Sequence, residues 1–170
     1  RRARLSEDIA SGLPGFELQA GPAGIESSDF EDIEKPVSMR VRGKAPSFAR
    51  SEGADLSVPL TPFESFVRKL APQSQRKHDV RLPLQSTVDE TWTLRLPAGM
   101  VVKNTPIAAS KSGEFGSFEL AFEQKEGSVV VHAKVALRKT RIKVSEYAAF
   151  QSFCEEIDRA MSQRLLVGKK

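Results

Sequence analysis

The sequence has one cysteine, one tryptophan, one tyrosine and two histidines. The single Cys154 excludes an internal disulfide and any cysteine-rich zinc site. His78 and His132 are too few for a three-histidine catalytic zinc centre. Unbroken apolar runs are only a few residues long, so no helix is expected to span a bilayer. The first residues show no charged-then-apolar leader pattern. A glycine-rich phosphate loop, a Gly-x-Ser-x-Gly elbow and a paired-histidine motif are all missing. Gly113-Glu114-Phe115-Gly116 reads as strand punctuation and not as a nucleotide cradle.

What is there describes a globular chain. Its 170 residues, 39% hydrophobic and 28% charged, suit one domain or one domain with an appended piece. That length buries a core without metal or disulfide staples. The net charge of +4 is mildly basic; it permits an anionic partner without requiring one. The organisation expected is an N-terminal helix and strand over 1–22, the tail of a preceding domain, followed by a β-rich domain over 23–170.

Period-two alternation dominates. Phe16 and Leu18 share a face in 15–20, as do Val37, Met39 and Val41 in 37–42, and Leu56, Val58 and Leu60 in 55–60. Further strands are expected at 79–84 and 87–96, with Val88, Trp92, Leu94 and Leu96 inward, and an extended stretch at 100–103. A hairpin of 116–123 and 128–138 turns at Lys125-Glu126-Gly127. Segments 43–54, 72–78 and 104–114 read as loops. Helices are expected at 3–12, with Leu5, Ile9 and Leu13 at spacing four, and at 62–71, started by Thr61, Pro62 and Glu64. A closing helix over about 145–163 aligns Tyr147, Phe150, Cys154, Ile157 and Met161 in one stripe, with Ser145 as its cap. These elements predict a mainly β fold: an antiparallel β-sandwich of about eight strands with a C-terminal helix and short additional helices, the last helix packing across an edge or end. The expected core comprises Trp92, Leu94, Phe118, Leu120, Phe122, Val131, Val135, Tyr147, Phe150 and Ile157.

Candidate chemistry is sparse. Cys154 falls on an apolar stripe, where a thiol packs instead of reacting. His78 sits in a polar connector beside Arg76 and Lys77, and His132 points outward on its strand. The acidic residues Glu26, Asp29, Glu31, Asp32 and Glu34 lack the ligand spacing and central glycine of a calcium loop. The segment 134–143 holds Lys134, Arg138, Lys139, Arg141 and Lys143 with no acid among them, so it is the candidate contact for an anionic partner. No aromatics interleave with it, which argues against nucleic acid. No catalytic residue, metal or cofactor is expected.

The runs TWTLRLPAGMVVKNTP (91–106), GEFGSFELAFEQKEGSVVVHAKVALRKTRI (113–142) and VSEYAAFQSFCEEIDRAMSQRLLV (144–167) resemble the C-terminal region of bacterial transglutaminase-like proteins. The shared pattern is Leu96-Pro97-x-Gly99, Phe115-Gly116-x-Phe118 and Tyr147-x-x-Phe150, and DIEKPVSMRVRGKAP (32–46) fits the strand that opens the region. The resemblance covers about 25–166. In such proteins a β-rich domain of unknown function follows a core whose Cys, His and Asp do the chemistry. None of the core's motifs occurs here, and Cys154 does not match its nucleophile. The resemblance implies an accessory domain of an exported envelope protein, in the periplasm or at the cell surface, with the upstream core or another envelope protein as partner.

Three readings stay open. The first is that accessory domain, contacting its core, a partner or a substrate. The second is a free-standing module that binds an anionic polymer or partner protein through the 134–143 face. The third is a hydrolase using Cys154 and a histidine.

Overall fold

The computed structural model describes residues 16–19, 24–28, 34–36, 38–61, 63–104 and 106–170. The helix expected at 3–12, the acidic residues Asp29, Glu31 and Asp32, Val37 and the helix-starting Pro62 lie outside the described residues. The chain divides into two compact units, 1–50 and 51–170.

In the first unit the described elements are four short strands: β1 (Glu17–Leu18), β2 (Ile25–Ser27), β3 (Met39–Val41) and β4 (Gly43–Lys44). β1 pairs antiparallel with β4, and β2 with β3. Gly43 has to be small, because a Cβ there would run into the Glu17 carbonyl and the Phe16 ring. Glu26 is drawn from the acidic segment into the β2–β3 ladder, where it pairs with Arg40 and Arg42.

β5 (Arg50–Glu52) starts on the last residue of the first unit, and the second continues with β6 (Asp55–Pro59), α1 (Phe66–Leu70), β7 (Val80–Arg81), β8 (Ser86–Arg95), β9 (Met100–Val102) and β10 (Ala109–Ser112). Then come β11 (Gly116–Lys125), β12 (Ser128–Leu137), β13 (Arg141–Ile142), a 3-10 turn (Val144–Glu146), α2 (Tyr147–Met161) and β14 (Arg164–Lys169). One four-stranded sheet runs β10-β11-β12-β8 and another β5-β6-β14-β9, while β13 and β7 form a separate ribbon. All these pairings are antiparallel, and the fold is mainly β, as expected.

The β11–β12 hairpin is the clearest translation of sequence into structure. Lys125 pairs with Ser128, leaving Glu126-Gly127 as a two-residue turn, and Gly127 takes a φ of 69°. That left-handed conformation suits glycine because it has no Cβ to clash. Phe118, Leu120, Val129, Val131, Ala133, Val135 and Leu137 alternate onto one buried face. α2 lays its stripe on that face: the Phe115 and Phe150 ring centroids are 5.4 Å apart at 66°, and Phe118 and Phe153 are 6.2 Å apart. Glu156 of α2 also reaches Lys111 of β10 at 2.7 Å. The helix therefore covers the β10–β11 side of the inner face. Leu60 and Leu165 and Val167 of β14 join the same core cluster.

Several elements differ from expectation. The chain does not close on a helix: α2 stops at Met161, and Arg164–Lys169 forms a strand between β6 and β9. The supposed loops at 43–54 and 104–114 contain β4, β5 and β10, which are short and mostly exposed, so they carry no apolar alternation. Ser145 lies within the 3-10 turn and does not cap α2. The second helix spans only Phe66–Leu70, and its cap is Ser65, whose Oγ accepts from the Arg68 N–H at 3.1 Å. Asp158 of α2 sets this start by accepting the Phe66 and Val67 N–H groups at 2.7 and 3.2 Å. Thr61 is instead buried, its hydroxyl without a partner among the described residues.

β8 is an edge strand, so Trp92 and Leu94 are only half-buried, as is Phe122. Phe150 is fully buried. Phe150→Ala is expected to cost about 3–5 kcal/mol and Trp92→Ala about 1–2 kcal/mol, read by urea denaturation. Equal costs would mean that β8 is as deeply covered as the helix seat.

Candidate functional site

The five basic residues of 134–143 do not form one free face. Lys134 points from the outer face of β12 to Asp89 of β8, 2.7 Å away, because the ladder places the two directly opposite. Lys139 bridges Glu114 at 3.1 Å and Glu146 at 2.9 Å, and its Nζ lies 5.4 Å from the Phe115 ring centroid. Arg141 binds Asp79 at 2.8 Å. Arg138 donates to Ser117 Oγ at 3.3 Å, and the Lys143 backbone N–H donates to Glu146 at 3.1 Å.

These pairings shift the groups in consistent directions. Asp89 raises the Lys134 pKa, while Glu146 and then Glu114 raise that of Lys139. Arg141 and the Val144 N–H hold Asp79 below the ordinary carboxylate range, and Lys139 does the same for Glu146. A lowered carboxylate pKa means that the pair supports the fold above the ordinary range and loses that support as pH falls through the lowered value. Lys134 faces solvent and Asp79, Lys139 and Glu146 are only half-buried, so their contribution is small.

Cys154 and the two histidines are not assembled. Cys154 is fully buried on the inner side of the sheet. Burial first, and then Asp158 and Glu155, push its thiol up to about 12. His132 is exposed on the outer face of β12, its Nδ1 3.1 Å from Thr91 Oγ1. His78 is exposed in the loop before β7. The thiol thus has neither a thiolate population nor either histidine beside it. Among the described residues no group of three or more His, Cys, Asp or Glu side chains is placed to hold a metal ion.

Two concave features escaped the sequence patterns. One, of about 410 Å³, lies between β10 and the end of α2, lined in part by Ile107, Phe118, Ala160 and Gln163. Gln163 closes its rim by accepting the Ile107 N–H and donating to the Ile107 carbonyl. The other, of about 680 Å³, is open and formed by residues 73–78. The only sequence signal for it was the Arg76-Lys77-His78 run, read as a polar connector.

A family model matches residues 55–167, so the chain belongs to DUF3858, a domain of unknown function with a solved structure. A crystal structure of a candidate protease from Parabacteroides distasonis has the same fold over 65% of this chain, with a TM-score of 0.54 and 18% identity. The match occupies 23% of that protein's chain. No curated protein matches the sequence.

Cys154 is expected to resist an aromatic disulfide reagent in the native chain at mildly alkaline pH and to react only on unfolding. Because its folded pKa is raised, stability should decline as pH climbs from the ordinary thiol range toward about 12. Cys154→Ser should cost about 1–2 kcal/mol. Prompt reaction of the native thiol would contradict the buried placement.

Proposed function

We propose that the chain is a non-catalytic accessory domain of a larger transglutaminase-like protein of the bacterial envelope, exported to the periplasm or cell surface. In this reading it contacts an upstream catalytic core or another envelope protein and performs no chemistry itself. The observation that carries the reading is the half-covered inner face beside β8. α2 shields the β10–β11 side, but Val88 is 43% exposed and Leu84, just before the strand, 62%. Trp92, Leu94 and Leu96 continue the band half-buried. An apolar band of this kind on a folded domain suits a protein contact.

Two further facts support it. A match filling under a quarter of a chain described as a protease candidate is what one domain beside a catalytic core would give. The buried thiol of this chain, remote from the outward-facing His132, suits a domain that leaves catalysis to another.

Immunoblotting and peptide mass mapping of the native polypeptide test the reading. The expected result is a band well above 18.7 kDa with upstream peptides that carry a Cys–His–Asp core. Leu84→Ser combined with Val88→Ser should then weaken association with that core while leaving the domain folded. A native band near 18.7 kDa would sink the reading.

A further inference from the structure

With three of the five cations of the 134–143 stretch already paired, further exposed positive charge lies in the ribbon and loop around β7. In the β7–β13 ribbon Val80 pairs with Ile142 and Arg81 with Arg141. Val80 and Ile142 are buried, so the two arginines stand opposite each other toward solvent. Like charges directly opposed in a ladder are destabilising. Asp79, the carboxylate beside them, is occupied by Arg141 at 2.8 Å and by the Val144 N–H at 3.1 Å.

The loop that feeds β7 adds to this charge and is held at both ends. At its start, the Tyr147 hydroxyl donates to the Gln73 carbonyl at 2.7 Å and accepts the Gln73 N–H at 3.3 Å. Gln151 Nε2 donates to the Ala71 and Gln73 carbonyls, each at 2.9 Å. At its end, Asp79 ties it to β13 and the 3-10 turn. Between these anchors lies the concavity of about 680 Å³, lined by Gln73, Ser74, Gln75, Arg76, Lys77 and His78, with no carboxylate among them. Arg76 is held by Gln73 Oε1 at 3.0 Å, with its guanidinium 5.7 Å from the Tyr147 ring centroid. Lys77 and His78 are exposed and make no ion pair among the described residues.

We propose that the 73–78 loop is a phosphate-binding site, and that Arg81 extends it to take a polyanionic chain bearing phosphate groups. A guanidinium, an ammonium, an imidazole, a hydroxyl and two amides supply more donors than the two oxygens of a carboxylate use well. A phosphate presents more acceptor oxygens and more charge. The clamped loop ends keep these donors together before the ligand arrives, which reduces the ordering cost of binding. The site does not depend on the accessory reading, since it lies wholly within this chain.

Calorimetric titration of the 170-residue chain with orthophosphate and with tripolyphosphate tests this. Tripolyphosphate is expected to bind more tightly, with affinity that falls as salt rises. Lys77→Gln with His78→Gln should weaken both ligands about tenfold, and Arg81→Gln should weaken tripolyphosphate only. Lys134→Gln with Lys139→Gln should change either affinity by less than about twofold, because those cations are already paired. Absence of binding, a loss that follows Lys134 and Lys139 in place of Lys77 and His78, or polyglutamate binding as tight as tripolyphosphate would each overturn the proposal. Lys77, His78, Arg81 and Lys134 are exposed and Lys139 is half-buried, and a denaturation curve on each variant separates lost binding from lost fold.

Discussion

The seating of α2 on β11 is the contact on which the rest of the second unit depends. Phe115 and Phe118 meet Phe150 and Phe153 there, in tilted and edge-to-face geometries that suit the quadrupoles of the rings. Everything else the helix does requires this seat. Its Asp158 caps α1, its Tyr147 and Gln151 clamp the start of the 73–78 loop, and its Glu156 fixes Lys111 of β10. One fifteen-residue helix thus converts aromatic packing into the positions of a neighbouring helix, a loop and a sheet edge. A loop with no regular structure can hold a defined shape only when something rigid holds its ends.

The same seat creates an asymmetry. A single helix is narrower than a four-stranded sheet, because strands sit nearly 5 Å apart while a helix covers a strip about 10 Å wide. With α2 on the β10–β11 side, the inward side chains of β12 remain deeply buried but those of β8 do not. The half-exposure of Trp92 and Leu94 is therefore a geometric consequence of where the helix sits. Edge strands invite further pairing unless they are charged or covered. Asp89, Glu90 and Arg95 place charges along β8. Glu90 also accepts the Trp92 indole N–H at 3.1 Å, which ties down the polar end of the largest side chain on that edge.

How much of this was legible follows from the range of the signals. Strict alternation in 116–123 and 128–138 and the three–four spacing of Tyr147, Phe150, Cys154, Ile157 and Met161 are local, and both gave the observed elements to within a few residues. Trp92 fits the expected core by alternation, which reports a face and says nothing of a strand's place in the sheet. The residues of α1 start where Asp158 reaches them from 92 positions away, a contact that outweighs the local Thr61-x-x-Glu64 pattern. β14 lies beyond the helix expected over 145–163 and had no element assigned to it, because Leu165, Leu166 and Val167 form a short apolar run, which periodicity alone does not assign. Its pairing partners, β6 and β9, are both distant in sequence.

The charge reading has the same limitation of range. A run of cations without acids looks like a binding face when only neighbours along the chain are counted. In an antiparallel sheet the nearest charge is the residue across the ladder, and for Lys134 that is Asp89, 45 positions away. Asp79 and Glu114 reach Arg141 and Lys139 from just before β7 and β11, 62 and 25 positions away. By contrast, Arg81 faces Arg141, and the Arg76-Lys77-His78 turn faces solvent. Cations that the register leaves without a carboxylate across from them are the ones with charge to spare for an anion. In this fold they include Lys77 before β7 and Arg81 on it, whereas three of the five cations of the densest basic run are already paired with carboxylates.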